Sequence, residues 1–195
     1  MALLINFLAF AMFQASGIAA VVEIDPSASK VSFVAVGRPG LMKIHGEGGK
    51  VEGRLDLSKK EGLGELTVNL DDFDTGIALR NQHMKEKYLQ TNDPAKKTAR
   101  LKVEKLELSP ELLKNGGKAD VPFSGNLLLH GEEKDVSGSL QAEVQGDKLN
   151  GKTNLKLNLS DYKVEIPSYL GIKVAETVDV EVSLNGKISE PAKKQ

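Results

Sequence analysis

The chain has 195 residues, of which 40% are hydrophobic and 27% charged, with a net charge of -1 at pH 7. This composition is that of one folded domain with a buried core, and the near-neutral charge gives no electrostatic reason to expect nucleic acid or an anionic membrane surface as a partner. The chain has no cysteine, which excludes disulfides, thiolate metal sites, a thiol nucleophile and the cysteine of a lipoprotein anchor.

The N-terminal segment differs from the rest of the chain. Residues 1–20 contain no charged side chain, and their apolar run, Leu3–Phe13, is too short to cross a bilayer. The small-x-small pattern at 17–19 suits signal peptidase, although no Lys or Arg precedes the apolar run. We therefore predict a signal peptide over 1–20, cleaved after Ala19 or Ala20, and a periplasmic or secreted protein with no integral membrane span after cleavage. The alternative is a buried N-terminal helix.

From Val21 onward, apolar and polar side chains alternate with a period of two, which is typical of β-strands with one buried face. A longer, weakly apolar stretch among these rows contains Gly46–Gly49, which predicts a β-bulge. The predicted strands centre on Val31–Ala35, Met42–Leu57, Leu66–Leu70, Ala99–Val103, Val121–Leu129, Val136–Val144, Leu155–Leu159 and Val178–Leu184.

Glycine-containing turn signals separate these rows at 61–64, 115–117, 131–133 and 146–147. Short strands at this spacing favour an antiparallel meander that closes into a barrel or packs as a sandwich with a single interior. The segment Leu79–Leu89 breaks the alternation, because Arg80, Met84 and Tyr88 recur at helical spacing. We predict a short helix there that covers one end of the barrel as a lid, with Asp74 or Thr75 as its N-cap.

No arrangement of catalytic or metal-binding residues is evident. The histidines, His45, His83 and His130, lie in separate elements, with no spacing that predicts a common metal. Paired carboxylates such as Asp71–Asp72 and Glu132–Glu133 fit solvated loop charges better than glycosidase chemistry. Nucleophile-elbow, phosphate-loop and dinucleotide motifs are absent. We expect a protein that is not an enzyme and has no catalytic residue, metal or cofactor.

Four stretches of the sequence resemble the YceI family of lipocalin-like, exported bacterial proteins. Phe73–Met84 is similar to the family's Asp-Thr-Gly step and Arg-Asp-x-His-Leu helix, with Asn81 and Met84 where the family commonly has Asp and Leu. Ser29–Gly37 resembles the opening strand, Phe123–Val136 the Gly-x-Leu-Thr-x-His-Gly hairpin, and 161–182 the closing region. The resemblance covers essentially the whole chain after residue 20, in the correct order.

The resemblance implies an all-β fold, an extended eight-stranded antiparallel barrel whose elongated cavity takes a polyisoprenoid or isoprenoid-quinone tail. Composition agrees with an open lumen, because 6 Phe, 3 Tyr and no Trp provide few large side chains to fill it. A charged or polar head would stay at the mouth, where Arg80 and His83 either contact it or pin the lid to the Asp74 loop. The predicted ligand-binding residues are Phe33, Val68, Leu70, Arg80, His83, Met84, Leu101, Phe123, Leu127, Leu157 and Val180.

The sequence thus predicts a barrel domain over 21–190, preceded by the signal peptide and followed by a flexible tail over 191–195. The predicted function is to sequester or carry an amphipathic isoprenoid lipid or quinone. The alternative is a secreted interaction or stress-response barrel with a packed core and no lipid, because pocket lining and core packing give the same alternation pattern. The sequence leaves open the identity of the lipid and whether the barrel is a monomer or a homodimer.

Overall fold

The computed structural model describes residues 20–39, 42–59, 63–169 and 172–190. The predicted signal peptide, apart from Ala20, and the predicted C-terminal tail lie outside the described residues. The described residues form eleven β-strands and two short α-helices, α1 (Ala78–Gln82) and α2 (Pro110–Asn115). The strands are β1 (Val21–Ile24), β2 (Lys30–Arg38), β3 (Met42–Asp56), β4 (Gly64–Asn69), β5 (Thr98–Leu106), β6 (Gly117–Leu129), β7 (Glu132–Gln145), β8 (Lys148–Asn158), β9 (Ser168–Tyr169), β10 (Ile172–Val174) and β11 (Thr177–Ser189).

Eight of these strands close into an antiparallel barrel in the order β11-β8-β7-β6-β5-β4-β3-β2, and pairing of β2 with β11 completes the circle. The short β1 pairs with both β11 and β3, so that it continues the position of β2 at one end of the barrel. The β9–β10 hairpin extends the other end of β2. The predicted eight-stranded antiparallel barrel is confirmed.

The two ends of the barrel are built differently. We call the end of the barrel at which β2, β4, β6 and β8 finish the upper end, and the opposite end the lower end. The lower end is tightly packed, with Val22, Val144 and Leu149 no more than 3% exposed. Leu112 of α2 is also buried and belongs to the same core. The lower end is therefore filled by side chains.

Helix α2 was not predicted from the sequence, although its boundary signals are present. Ser109 caps the helix, its side-chain oxygen accepting a hydrogen bond from Leu112 N at 3.1 Å, and Pro110 occupies the first turn. Gly116 ends the helix with φ of 73°. Because the helix has only six residues, it shows no helical periodicity that could outweigh the surrounding strand pattern.

The predicted bulge in β3 is present. Val31 pairs with Gly49 but Ser32 pairs with Glu47, which leaves Gly48 without a partner. Gly48 has φ of +116°, and a Cβ there would lie 2.5 Å from the Asp72 carbonyl oxygen, so glycine is required. The bulge brings the upper part of β3 against the segment that leads to the lid. Glu47 and Asp74 exchange backbone hydrogen bonds there at 2.9 and 2.8 Å.

Candidate functional site

The apolar side chains that point into the barrel fall into two groups by burial. Those in the lower half are fully buried against one another: Val51, Leu66, Val103, Val121, Leu140, Val144, Leu149 and Leu184. Most inward-facing side chains in the upper half pack against this core but remain half-buried: Phe33, Val68, Ala99, Leu101, Leu127, Leu155, Leu157, Val180 and Val182. Ala35 and Val178 are exceptions, because they are buried with Val174 in a small second cluster. Half-buried side chains on the inner face of a closed barrel border space that other side chains do not fill. The upper half of the lumen is therefore apolar and accessible.

An aromatic pair forms one wall of this upper lumen. The ring of Phe33 meets the ring of Phe73 edge-on, with centroids 5.4 Å apart. Phe33 lies directly over Gly46, where a Cβ would be only 2.1 Å from its ring. Phe73 lies over Gly49, where a Cβ would be 2.8 Å from the Phe73 ring and from Val68. The glycines of β3 thus make room for the two rings.

The lid consists of α1 and a π-helical turn, His83–Tyr88, that follows it directly. Met84, Tyr88 and Leu89 are half-buried and pack against the core of the barrel. This confirms the predicted helix between β4 and β5. The predicted N-cap is wrong, because Ile77 rather than Asp74 or Thr75 precedes α1 and no side chain caps the helix. The sequence pattern did not predict that the second half is a π-helical turn.

A hydrogen-bonded network anchors the start of the lid. Arg80 Nε donates to Thr75 Oγ1 at 2.9 Å, and Arg80 Nη2 donates to the Thr75 carbonyl. Asn81 Oδ1 accepts from Thr75 N at 2.8 Å and from Thr75 Oγ1 at 2.6 Å, while Asn81 Nδ2 donates to Asp74 Oδ1 at 2.7 Å. Hydrogen bonds from Asn81 and from Gly76 N lower the pKa of Asp74 below its ordinary value. Asn81 therefore occupies the centre of this network.

The structure separates the predicted ligand-binding residues into two sets. The apolar predicted residues all belong to one core cluster. Among them Leu70 and Phe123 are fully buried, and the remaining seven are half-buried: Phe33, Val68, Met84, Leu101, Leu127, Leu157 and Val180. The polar members lie on the lid. The guanidinium of Arg80 is bonded to Thr75, whereas His83 is exposed, with no hydrogen-bond partner for its imidazole among the described residues. Their contact with a ligand head stays a prediction.

Three polar residues in the upper half of the barrel, each with a buried side-chain atom, were not predicted as site residues. His130 and Thr153 are 7% and 6% exposed, and Asn158 is half-buried. Among the described residues, buried side-chain atoms without a hydrogen-bond partner are His130 Nε2, Thr153 Oγ1 and Asn158 Oδ1. Burial lowers the pKa of His130 below its ordinary value of 6.5. In the sequence, His130 could be noticed only because the His-Gly turn resembles the family's hairpin.

The described residues contain no group of three or more His, Asp or Glu side chains placed to hold a metal ion. Within the same residues, no helix is long and apolar enough to cross a membrane.

Comparison with solved structures gives matches over most of the chain. A polyisoprenoid-binding domain from Saccharophagus degradans, implicated in plant cell wall breakdown, superimposes with a TM-score of 0.71 at 19% identity, covering 86% of this chain and 98% of that domain. BcnA from Burkholderia cenocepacia gives 0.64 at 18% identity, covering 85% and 99%. The YceI protein of Campylobacter jejuni gives 0.50 at 16% identity, covering 76% and 88%. At these identities the matches establish the fold alone.

Fold and lumen together define a class of protein: a closed, eight-stranded antiparallel barrel with an apolar upper lumen and a helical lid. The family model of the YceI-like domain matches residues 23–186, and this chain belongs to that family. A comparison with curated protein sequences finds no match.

Proposed function

We propose that this protein binds an amphipathic isoprenoid, of the polyprenyl or isoprenoid-quinone type, in the upper half of its barrel, and sequesters or carries it. The supporting observation is the ring of half-buried apolar side chains that faces the lumen above a fully packed lower half. The fold is also that of the solved polyisoprenoid-binding domain. A packed barrel without a ligand would bury these side chains against one another, as the lower half does.

The energetics favour a branched hydrocarbon chain as the ligand. Removing a CH₂ group from water contributes about 0.8 kcal/mol, so a few isoprene units bring substantial affinity without polar contacts. Side chains such as Leu101, Leu127 and Leu157 are only half-buried, and the apolar surface that they present to the lumen leaves water when the hydrocarbon chain binds. The oxygen-bearing head lies at the upper end, where the lid and the polar residues are found.

A pair of matched substitutions tests whether the lumen is open. Val180→Phe adds volume to the upper lumen, whereas Val144→Phe adds the same volume to the lower half, where Val144 is 1% exposed. We expect Val180→Phe to leave stability within about 1 kcal/mol of the parent and to weaken binding of a dansyl-labelled geranylgeraniol probe at least about tenfold. Val144→Phe should cost about 1–3 kcal/mol of unfolding free energy by overpacking.

The alternative of a packed interaction module gives a different result. In that case Val180→Phe overpacks the core as Val144→Phe does, and the parent protein does not bind the probe. Equal destabilisation by the two substitutions, measured by urea unfolding, would therefore exclude the open lumen.

We also propose that the protein is exported, on the basis of the apolar N-terminal segment and its small-x-small pattern. Cleavage after Ala19 fits the barrel better than cleavage after Ala20, because the Ala20 carbonyl accepts a hydrogen bond from Leu57 N at 2.8 Å. Cleavage one residue later would remove this bond and place the charged amino terminus on Val21, which is 1% exposed. N-terminal sequencing of the exported protein should therefore begin at Ala20, and an intact Met1 would contradict export by this route.

A further inference from the structure

The wall of the barrel is open over part of one strand pair. β7 and β8 pair only in their lower halves, from Gln141–Gln145 against Lys148–Lys152. Above this point β7 pairs only with β6, and β8 pairs only with β11. We call the two facing edges, 132–140 of β7 and 153–158 of β8, the seam. No strand of the described residues lies between these two edges.

Side chains rather than backbone hydrogen bonds occupy the seam. Gly138 has no side chain, and a Cβ there would lie 3.3 Å from Leu155 Cδ2, so Leu155 packs over Gly138. Val136 and Leu157 are half-buried on the same inner face. The seam is therefore apolar on its inner side and continuous with the upper lumen.

The buried polar atoms without partners belong to residues that border the seam. Thr153 is at its lower limit, directly above the last pair between β7 and β8, while Asn158 ends β8 at the upper limit. His130 lies in the turn that leads into β7. A buried polar group without a partner destabilises the folded state. Their shared location at one edge of the wall suggests that a group passing through or resting in the seam becomes their partner.

Side-chain contacts hold the upper rim of the seam. The His130 ring nitrogen Nδ1 lies 3.0 Å from the Tyr162 carbonyl oxygen, and Lys163 Nζ lies 2.7 Å from Glu132 Oε1. The Lys163 side chain is 75% exposed, so this ion pair is weak. Separating β7 from β8 here breaks these two contacts and the packing of Leu155 over Gly138, but no strand pairing. Separating β6 from β7 instead breaks a ladder along all of β6.

We infer that the lipid enters and leaves the lumen sideways through this seam, with its oxygen-bearing head held at the upper rim, beside His130 and Asn158. This inference rests on the proposed function. The lower end is filled by side chains, and the lid packs onto the core at the upper end through Met84, Tyr88 and Leu89. The seam is a part of the described wall that opens without loss of strand pairing.

Disulfide stapling tests the inference cleanly, because the chain contains no cysteine. The pair Ser139→Cys/Asn154→Cys places one thiol on each edge of the seam, at exposed positions that continue the register of Gln141 with Lys152. The control pair is Ser124→Cys/Ser137→Cys, which joins β6 to β7 where they are already paired. If the seam disulfide does not form, a short bismaleimide linker between the same thiols serves instead.

The readout is the rate of uptake of dansyl-labelled geranylgeraniol and of its release to neutral phosphatidylcholine vesicles. We expect the closed seam to slow both rates at least about tenfold relative to the reduced protein, while the control staple changes neither. Equal rates in the open and closed seam proteins, with binding intact, would overturn the lateral route and leave the lumen proposal standing. If the cysteine-free parent does not bind the probe, both proposals fail together.

Discussion

Gly46 is the position in the lumen wall where the absence of a side chain matters most. A Cβ at this residue would lie 2.1 and 2.3 Å from Cε1 and Cζ of Phe33, far inside van der Waals contact. The backbone of Gly46 is outside the positive-φ region, so alanine causes no backbone strain. Gly46→Ala therefore acts through the Phe33 ring alone. The ring must leave its place beside Phe73 and turn into the lumen.

The expected cost of Gly46→Ala is about 1–3 kcal/mol of unfolding free energy, the usual range for overpacking. Phe33→Ala alone should cost less than the roughly 3–5 kcal/mol of a fully buried phenylalanine, because Phe33 is half-buried. In the double variant the added methyl group no longer meets a ring, so Gly46→Ala should have almost no further cost. The coupling between the two sites should then equal most of the Gly46→Ala effect.

Urea unfolding followed by far-ultraviolet circular dichroism measures these four stabilities, since the chain has no Trp to report fluorescence. The single variant Gly46→Ala should also bind the geranylgeraniol probe several-fold more weakly, because the displaced ring occupies ligand space. If Gly46→Ala destabilises the chain equally with and without Phe33, the ring contact is not the cause and this description of the wall is wrong.

Two further predictions concern the polar residues. Burial lowers the pKa of His130 in the folded state, so the unfolded chain binds this proton first as the pH falls. The free energy of unfolding should therefore decrease below about pH 6.5. Urea unfolding of His130→Gln should show a smaller decrease between about pH 6.5 and 5. An identical pH dependence in both proteins would contradict the burial of a neutral His130. Asn81→Ala removes hydrogen bonds to Thr75 and Asp74. Hydrogen exchange in the lid should become faster, while exchange in the barrel strands is unchanged. The pKa of Asp74, measured by NMR titration, should rise toward its ordinary value. Unchanged exchange in the lid would show that the network does not hold it.

The alternation of side chains was sufficient to predict antiparallel strands with one buried face, whereas the resemblance to the family favoured the eight-stranded barrel over a sandwich. Rows such as Val178–Leu184 have a period of two that only a strand with one buried side explains. The same periodicity identified Phe33, Leu101 and Val180 as inward-facing, and all three pack against the core. The bulge at Gly48 followed from the cluster of glycines in β3.

The alternation could not predict how deeply each inward-facing side chain is buried. Val144 and Val180 have the same pattern in the sequence, yet one is fully buried and the other half-buried. The difference arises from which end of the barrel each strand segment reaches and from what covers that end. The sequence also did not predict that the pairing of β7 with β8 stops at Gln141 and Lys152, because strand register depends on contacts between residues distant in sequence.

The lid shows a similar limit at the level of single residues. Its helical spacing located the segment, and the structure shows Arg80 bonded to Thr75 at the start of the lid. A sequence places Arg80 and His83 three residues apart on one helix, but it does not show that Thr75 is near enough to accept hydrogen bonds from the guanidinium. The polar residues of the seam were missed for the same reason. Nothing in the sequence distinguishes Thr153 from the other five threonines.

Native mass spectrometry of the protein, purified from cells without detergent, tests the central claim most directly. An apolar lumen open in its upper half should retain one lipid, seen as a single added mass that organic solvent removes and that fragments as a prenyl chain. A spectrum that contains only the bare polypeptide, together with no uptake of geranylgeraniol from vesicles by the same sample, would contradict the account.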